Sequence, residues 1–389
     1  MFNWKKSLAL FTALALLAGC SGSPASSGAP SSSQEAGGVA AEPYVPVYTY
    51  ENPDPDMVLV SAPSGDVTYR DYRLYLDVTE ELARYSARQQ LALSAAVRQD
   101  LSETFGIEVD EEAFRQAAAQ EIAMAYFYSP SVFENLGMIG KVTGLTDDEM
   151  NDAIIESYRA QYLINQLGTH FQQEAEKEFP AAELPDTIDS GAEDGKAETE
   201  AEQERQQKIY EAAAQQMQEY SLEYEERLEF DPAGGETLGT FDGEPIALTE
   251  EGSRFVDYMA AASRIEAACF IQEGELLLRA LEARDSGIDS APFTESLELY
   301  RQQILGDELL YDELSRICGL FGATVDDYLL ALERPLWLQY TGDLYYQALY
   351  EEYTALTEGE EEPEQSFEEY VSAAFDKAFE GSELVNLAG

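Results

Sequence analysis

His170 is the sole histidine in 389 residues, and that scarcity removes most acid–base and metal chemistry. A Ser-His-Asp triad would have to be built on it, and no Gly-x-Ser-x-Gly elbow accompanies it. It follows Gly168-Thr169 on a polar helical stretch and reads as a solvated side chain. A histidine-rich zinc site is impossible, and Cys20, Cys269 and Cys318 are too scattered for a four-thiolate site. Carboxylates are abundant instead, 76 in all, so chance pairs are inevitable. Nothing singles out one pair in an apolar setting, as glycoside hydrolysis needs. No Asp-x-Asp-x-Asp-Gly loop for calcium is present. No catalytic residue, metal site or cofactor is assigned, and the chain is not expected to be an enzyme.

Cys20 is the thiol with an informative neighbourhood. Lys5 and Lys6 precede an apolar run from Leu8 to Ala18, and Leu17-Ala18-Gly19-Cys20 closes it. This is the charged, apolar and small-residue series of a secretory signal. The run is too short to cross a hydrocarbon core of ~30 Å. The closing string resembles the lipobox of bacterial lipoproteins. The resemblance implies that residues 1–19 are removed and that Cys20 becomes the lipidated N-terminus. Two acyl chains suffice for stable anchoring, so the membrane is engaged through lipid alone. Residues 21–42, rich in Ser, Gly and Ala, form a flexible tether with a typical reach of ~25 Å. Residues 20–55 are read as lipidated cysteine plus tether. The expected location is extracytoplasmic, and the long polar tether suits a Gram-positive type of surface.

Net charge is −53, and loss of Lys5 and Lys6 with the leader makes it two units more negative. Nucleic-acid binding is excluded as a class, because it depends on Lys and Arg neutralising phosphates. Anionic headgroups would be repelled as well. Yet 45% of residues are apolar and 11% aromatic, enough to build cores. Cys269 and Cys318 could pair in an oxidising compartment or remain two buried free thiols.

After the tether the chain reads as though written twice. Gly144-Leu145-Thr146-Asp147-Asp148-Glu149-Met150 aligns with Gly322-Ala323-Thr324-Val325-Asp326-Asp327-Tyr328. Gln161-Tyr162 aligns with Gln339-Tyr340 at the same shift, and Gly106-Ile107-Glu108 with Gly287-Ile288-Asp289. Thr146 with Glu149 is a capping box, Thr324 with Asp327 a weaker copy. Each half opens on a short strand, at 58–60 or 238–241, and turns at Gly65 or Gly243. A long helix follows, over 68–104 or 249–283. Tyr72, Tyr75, Val78, Leu82 and Tyr85 give the first an amphipathic stripe. Shorter helices are predicted over 110–128 and 146–157, and another long one over 158–179, in one half. In the other they fall at 292–316, 324–333 and 336–356, with Pro335 separating the last two. Each half closes with a helix, 198–228 or 366–379, and a short apolar piece, 228–230 or 384–387. That piece is expected to pair with the strand opening its own half. The resulting fold class is mainly α: two tandem helical modules, 56–235 and 236–389, each with a two-stranded β element.

The series resembles the SurA N-terminal chaperone domain, found also in PrsA-type foldase lipoproteins and, more distantly, in the chaperone region of trigger factor. Gly106-Ile107-Glu108-Val109-Asp110-Glu111-Glu112 and Ser157-Tyr158-Arg159-Ala160-Gln161-Tyr162-Leu163-Ile164 carry it most clearly. In the second half Leu336-Trp337-Leu338-Gln339-Tyr340 replaces the Tyr-Arg series. Gly234-Gly235-Glu236-Thr237-Leu238-Gly239 superficially resembles a parvulin string. The flanking chain matches no such domain, so prolyl isomerase activity is not expected.

The resemblance implies a non-enzymatic chaperone that holds unfolded or extended polypeptides, favouring basic ones by charge. Its clients would rest on exposed apolar surface. The candidates are Tyr72, Tyr75, Tyr126, Phe127, Tyr128, Phe133 and Met138. The alternative is a scaffold lipoprotein that docks one specific partner.

Overall fold

The structure, a computed structural model, describes residues 57–61, 65–128, 135–180, 194–232, 235–284, 288–357 and 365–384. The leader, Cys20, the tether and Phe133 lie outside these residues. The protein is mainly helical with two small antiparallel sheets. In chain order it comprises β1 (Val58–Ser61), β2 (Val67–Thr68), α1 (Tyr69–Glu103), α2 (Glu111–Tyr128), α3 (Leu136–Thr143), α4 (Asp147–Glu156), α5 (Arg159–Glu178) and α6 (Asp194–Arg227). Then follow β3 (Leu228–Phe230), β4 (Thr237–Phe241), β5 (Glu244–Ala247), α7 (Glu250–Arg284), α8 (Ala291–Gly306), α9 (Glu308–Leu320), α10 (Val325–Leu356), α11 (Phe367–Ala378) and β6 (Glu383–Leu384).

The two long helices, α1 and α7, are each 35 residues. Thr68 accepts no continuation of the strand because Asp71 takes both its backbone N–H and its hydroxyl, at 3.0 and 2.9 Å, and the chain turns into α1. Thr146 and Thr324 cap α4 and α10 with complete capping boxes, each worth about 1 kcal/mol. Gly144 and Gly322 precede them in the left-handed region, at φ 74° and 67°, where a Cβ would be strained.

Three elements depart from the sequence expectation. Pro335 does not break the chain: α10 runs through it, and the ring is buried. Leu332 and Leu338 on either side are fully buried, so packing outweighs the missing N–H. The helix expected over 292–316 divides at Asp307, whose side chain caps α9 by accepting from Leu310 N at 3.0 Å. Helix α3, over residues expected only to end at Gly144, is short and centred on buried Ile139.

Strand pairing also departs. The closing strand of the first half, β3, pairs with β4, which opens the second half; Leu228 faces Phe241 and Phe230 faces Gly239. The closing strand of the second half, β6, pairs with β1, which opens the first; Val60 faces Leu384. Each closing strand was expected on the opener of its own half. Only six residues separate β3 from β4, so their closure costs little chain entropy, and β6 takes the place left on β1.

Contacts group the chain into two units that each draw on both halves. One contains the described parts of Met1–Arg84, Ser129–Leu145 and Tyr258–Gly389; the other contains Tyr85–Tyr128 and Thr146–Asp257. A cut after residue 235 is not the line along which these contacts divide. In the first unit β1, β2 and the opening turns of α1 pack on α7 to α10. Leu59, Tyr69, Tyr72, Leu76 and Val78 share one core with Ile271, Ile317, Phe321, Leu332 and Leu338. Gln272 Nε2 donates to Leu59 O at 2.5 Å. The second unit has its own core of Val97, Leu101, Leu163, Leu167 and Phe171, with Met217 and Tyr220 packed on it. Arg227 closes this unit by donating to Asp100 at 2.8 and 2.9 Å and to Asp242 at 2.6 and 2.8 Å.

Gly239 shows how tightly β3 and β4 meet. Its φ is +133°, and a Cβ there would lie 2.1 Å from Glu229 O. Gly239→Ala should therefore cost at least about 2 kcal/mol through strain and overlap. Urea unfolding checks this, and an unchanged midpoint would contradict the close approach.

Candidate functional site

The expected client residues separate into distinct environments. Tyr72 and Tyr75 are 2% and 4% exposed, so they are core and not client surface. Their stripe on α1 is covered by α7 to α10. The Tyr72 hydroxyl donates to Glu275, which also accepts from Arg334 at 2.9 and 3.0 Å. A buried carboxylate is thus fully satisfied. Tyr126 is open to solvent, 61% exposed, and Met138 is half-buried. The side chains of Phe127 and Tyr128 lie outside the described residues. The structure does not gather the expected set into one surface.

His170 is half-buried rather than solvated, its ring 4.8 Å from that of Phe105. Cys269 and Cys318 are both free thiols, so the disulfide alternative is not the one adopted. Burial pushes each thiol up to about 12, which makes both poor nucleophiles at neutral pH. Among the described residues, no group of three or more His, Cys, Asp or Glu side chains could hold a metal ion.

Buried charged residues pair with one another or, as Arg88 does with Gly235 and Thr237, donate to backbone carbonyls. In the first unit Asp77 and Glu80 are wholly buried. Arg264 reaches Asp77 at 3.2 Å and Glu80 at 2.5 Å, while Arg73 and Arg84 supply further pairs. Glu266 is different. Burial alone pushes its carboxyl up to about 7, yet it lines neither of the clefts described below. The folded state holds a proton that the unfolded chain releases between about pH 4.5 and 7. Stability from this group is therefore lost as pH rises through that window. Replacing Glu266 with Gln should remove this component, so the stability of wild type relative to E266Q should fall between pH 5 and 7. A constant difference would contradict it.

Two adjoining clefts, of about 270 and 250 Å³, lie in the second unit and share Glu156 and Glu251. Leu91, Leu238, Ile246 and Leu248 give the smaller one an apolar wall. Its charges are largely spent internally. Arg159 meets Glu156 at 2.7 Å and Glu111 at 3.0 Å, and Arg98 meets Glu111 at 2.6 Å. Burial pushes Glu156 up, with Arg159 only partly offsetting it. Burial also works to raise Glu111, but Arg159 and Arg98 hold it below the ordinary range. The neighbouring edge strand β5 carries Pro245, which cannot donate to an added strand.

An open aromatic face lies in the first unit, built from α10 and α11. Helix α10 carries two apolar stripes over its last turns. Tyr345 and Leu349 point into the core, 2% and 0% exposed. Tyr346, Tyr350 and Tyr353 follow at i, i+4 and i+7 on another side, and Tyr346 and Tyr350 are 44% and 56% exposed. Phe367, the first residue of α11, sits among them with ring centroids 5.4, 5.4 and 5.3 Å from Tyr346, Tyr350 and Tyr353. Tyr370 extends the group, 5.7 Å from Tyr353.

Polar anchors fix this face. A complete capping box at Ser366 and Glu369 starts α11 and places Phe367 at its first turn. Tyr353 donates to Gln365 O at 2.8 Å, and Tyr370 donates to Glu352 at 2.9 Å. The hydroxyls of Tyr346 and Tyr350 make no hydrogen bond to described residues, which leaves both rings presented outward. None of these five aromatics was singled out by sequence. The available signal was the 346-350-353 spacing interleaved with Glu351 and Glu352, an aromatic stripe on a charged face.

Comparison with known proteins finds no matching family model, curated protein or solved structure.

Proposed function

We propose that this protein is an extracytoplasmic, lipid-tethered holdase that binds unfolded or extended polypeptides without chemistry. The single observation that carries this reading is the aromatic face in which Tyr346 and Tyr350 point outward around a half-buried Phe367. Soluble proteins rarely leave clustered rings in water unless a partner covers them. The rings are held on two helices fixed by caps and core contacts, so little order must be gained on binding. The high negative charge favours basic clients and helps keep complexes in solution.

The element order supports a duplicated module of the SurA N-terminal type. Hairpin, 35-residue helix, capped helices and closing strand occur in the same sequence in both halves. In this reading Cys20 carries the lipid, and the tether lets the body sweep a volume near the membrane. No described helix is long and apolar enough to cross a membrane.

The test is a reporter enzyme heated to its unfolding temperature with the mature chain in several-fold excess. Suppressed light scattering is expected; unchanged aggregation would overturn the holdase reading. Metabolic labelling with an alkyne fatty acid tests the anchor. Label lost in Cys20→Ala supports it, and label retained or absent from wild type contradicts it.

A further inference from the structure

We propose that the aromatic face of α10 and α11 is a binding site for arginine- or lysine-bearing extended polypeptide segments. This assignment rests on the holdase reading and gives it a location and a client chemistry. Five rings meet there, from Tyr346, Tyr350, Tyr353, Phe367 and Tyr370, with successive centroids 5.3 to 5.7 Å apart. Carboxylates are interleaved with them. In sequence, Glu351 and Glu352 stand between Tyr350 and Tyr353, and Glu368 and Glu369 between Phe367 and Tyr370. Glu352 is held by Tyr370 and Arg284 and Glu369 by the capping box, so Glu351 and Glu368 are the acids offered to a ligand. The basic residues nearby are few: Lys377 is the one in α11, and Arg284 is engaged with Glu352 at 2.8 Å.

Ring faces next to carboxylates suit a guanidinium or ammonium group. The cation is drawn by the ring quadrupole and by the acids, while its methylene stem lies along apolar ring surface. Arginine fits better than lysine because its planar group stacks and carries a weaker hydration shell. Tyrosines contribute large contact area for little lost side-chain entropy. The same charges repel nucleic acid and anionic lipid, so a polypeptide is the occupant assigned. The stripe from Tyr346 to Tyr353 rises about 10 Å along the helix. An extended chain covers that length with about three or four residues, so the recognised unit is short and tolerant of sequence.

The test uses the whole mature chain and unstructured fluorescent peptides read by anisotropy. One peptide alternates Arg with Leu and Gly; its counterpart carries Glu in place of Arg. The basic peptide should bind and the acidic one should not, with affinity falling as salt rises from about 50 to about 500 mM. Tyr346→Ser with Tyr350→Ser should weaken binding about tenfold or more. Both rings are exposed, and circular dichroism verifies that the variant folds. Glu351→Gln with Glu368→Gln should weaken binding at low salt and have little effect at high salt. Tyr210→Ser, at a ring 75% exposed on α6, should change nothing. Equal binding by the double-tyrosine variant, equal binding of the acidic peptide, or no binding of the basic one overturns the assignment. Failure here alongside intact aggregation suppression removes this site but leaves the holdase reading. Peptide capture by a chain that suppresses no aggregation removes the holdase reading and keeps the site.

Discussion

A chain divided after Pro232 should yield two fragments that associate, because the first unit needs segments of both. Mixed or co-expressed, residues up to 232 and residues from 233 should elute as one complex in which the first unit unfolds cooperatively. The fragment from 233 alone should lack that transition, since it misses β1, β2 and the opening turns of α1. The reason lies in how the first unit is assembled. The opening turns of α1 bury Tyr69, Tyr72, Leu76, Val78 and Leu82 against Ala268, Ile271, Ile317, Phe321 and Leu332 of the other fragment. Strand β1 likewise takes β6 from that fragment. Each buried side chain of this size contributes about 1.5–3 kcal/mol, and domains are stable by only about 5–15 kcal/mol in total. Losing five or more such contacts exceeds that margin. Two fragments that separate on gel filtration, each folded, would show that the halves are self-sufficient and would refute the exchange of segments.

Arg264→Met should destabilise the protein by about 3–5 kcal/mol in denaturant unfolding. Arg264, on α7, reaches across to α1 within the first unit, its side chain 11% exposed. It serves Asp77, Glu80 and the Tyr69 hydroxyl, and Tyr69 in turn donates to Asp77 at 2.6 Å. Burial works to lower the arginine, but Tyr69, Glu80 and Asp77 hold it above its ordinary value. Without it, the two wholly buried carboxylates keep Arg73 and Arg84, at 3.3 and 2.9 Å, and the Tyr69 hydroxyl, with less positive charge to balance them. Adding Arg73→Met, Asp77→Leu and Glu80→Leu to the methionine variant should restore part of the loss, since the buried charges that pair here are then removed together. A loss below about 1 kcal/mol for the single variant would place this cluster in effective contact with water.

Local chemistry was legible in the sequence and long-range pairing was not. Helices α1 and α7 lie within a residue or two of their expected limits, because stripe and cap act over neighbouring turns. The boxes at Thr146 and Thr324 formed for the same reason. Pro335 misled because the rule for an isolated helix ignores a core that grips both sides of the ring. The corresponding position in the first half, Ser157, is where α4 and α5 do part. The exchange of β3 and β6 left no local trace: both strands are short and apolar, and their partners are fixed by topology. Tyr72 and Tyr346 are both stripe residues on long helices. What separates core from surface is whether another helix lies over the stripe, and spacing alone does not encode that.

A photo-crosslinking amino acid placed at Tyr350, and in a second protein at Tyr210, locates the client surface most directly. Irradiated with a purified reporter as it unfolds, the chain labelled at 350 should capture it, while the chain labelled at 210 should not. Neither should capture the reporter while it is native. Equal capture at both positions, or none at 350 with aggregation still suppressed, would mean that the aromatic face of α10 and α11 is not where polypeptides are held.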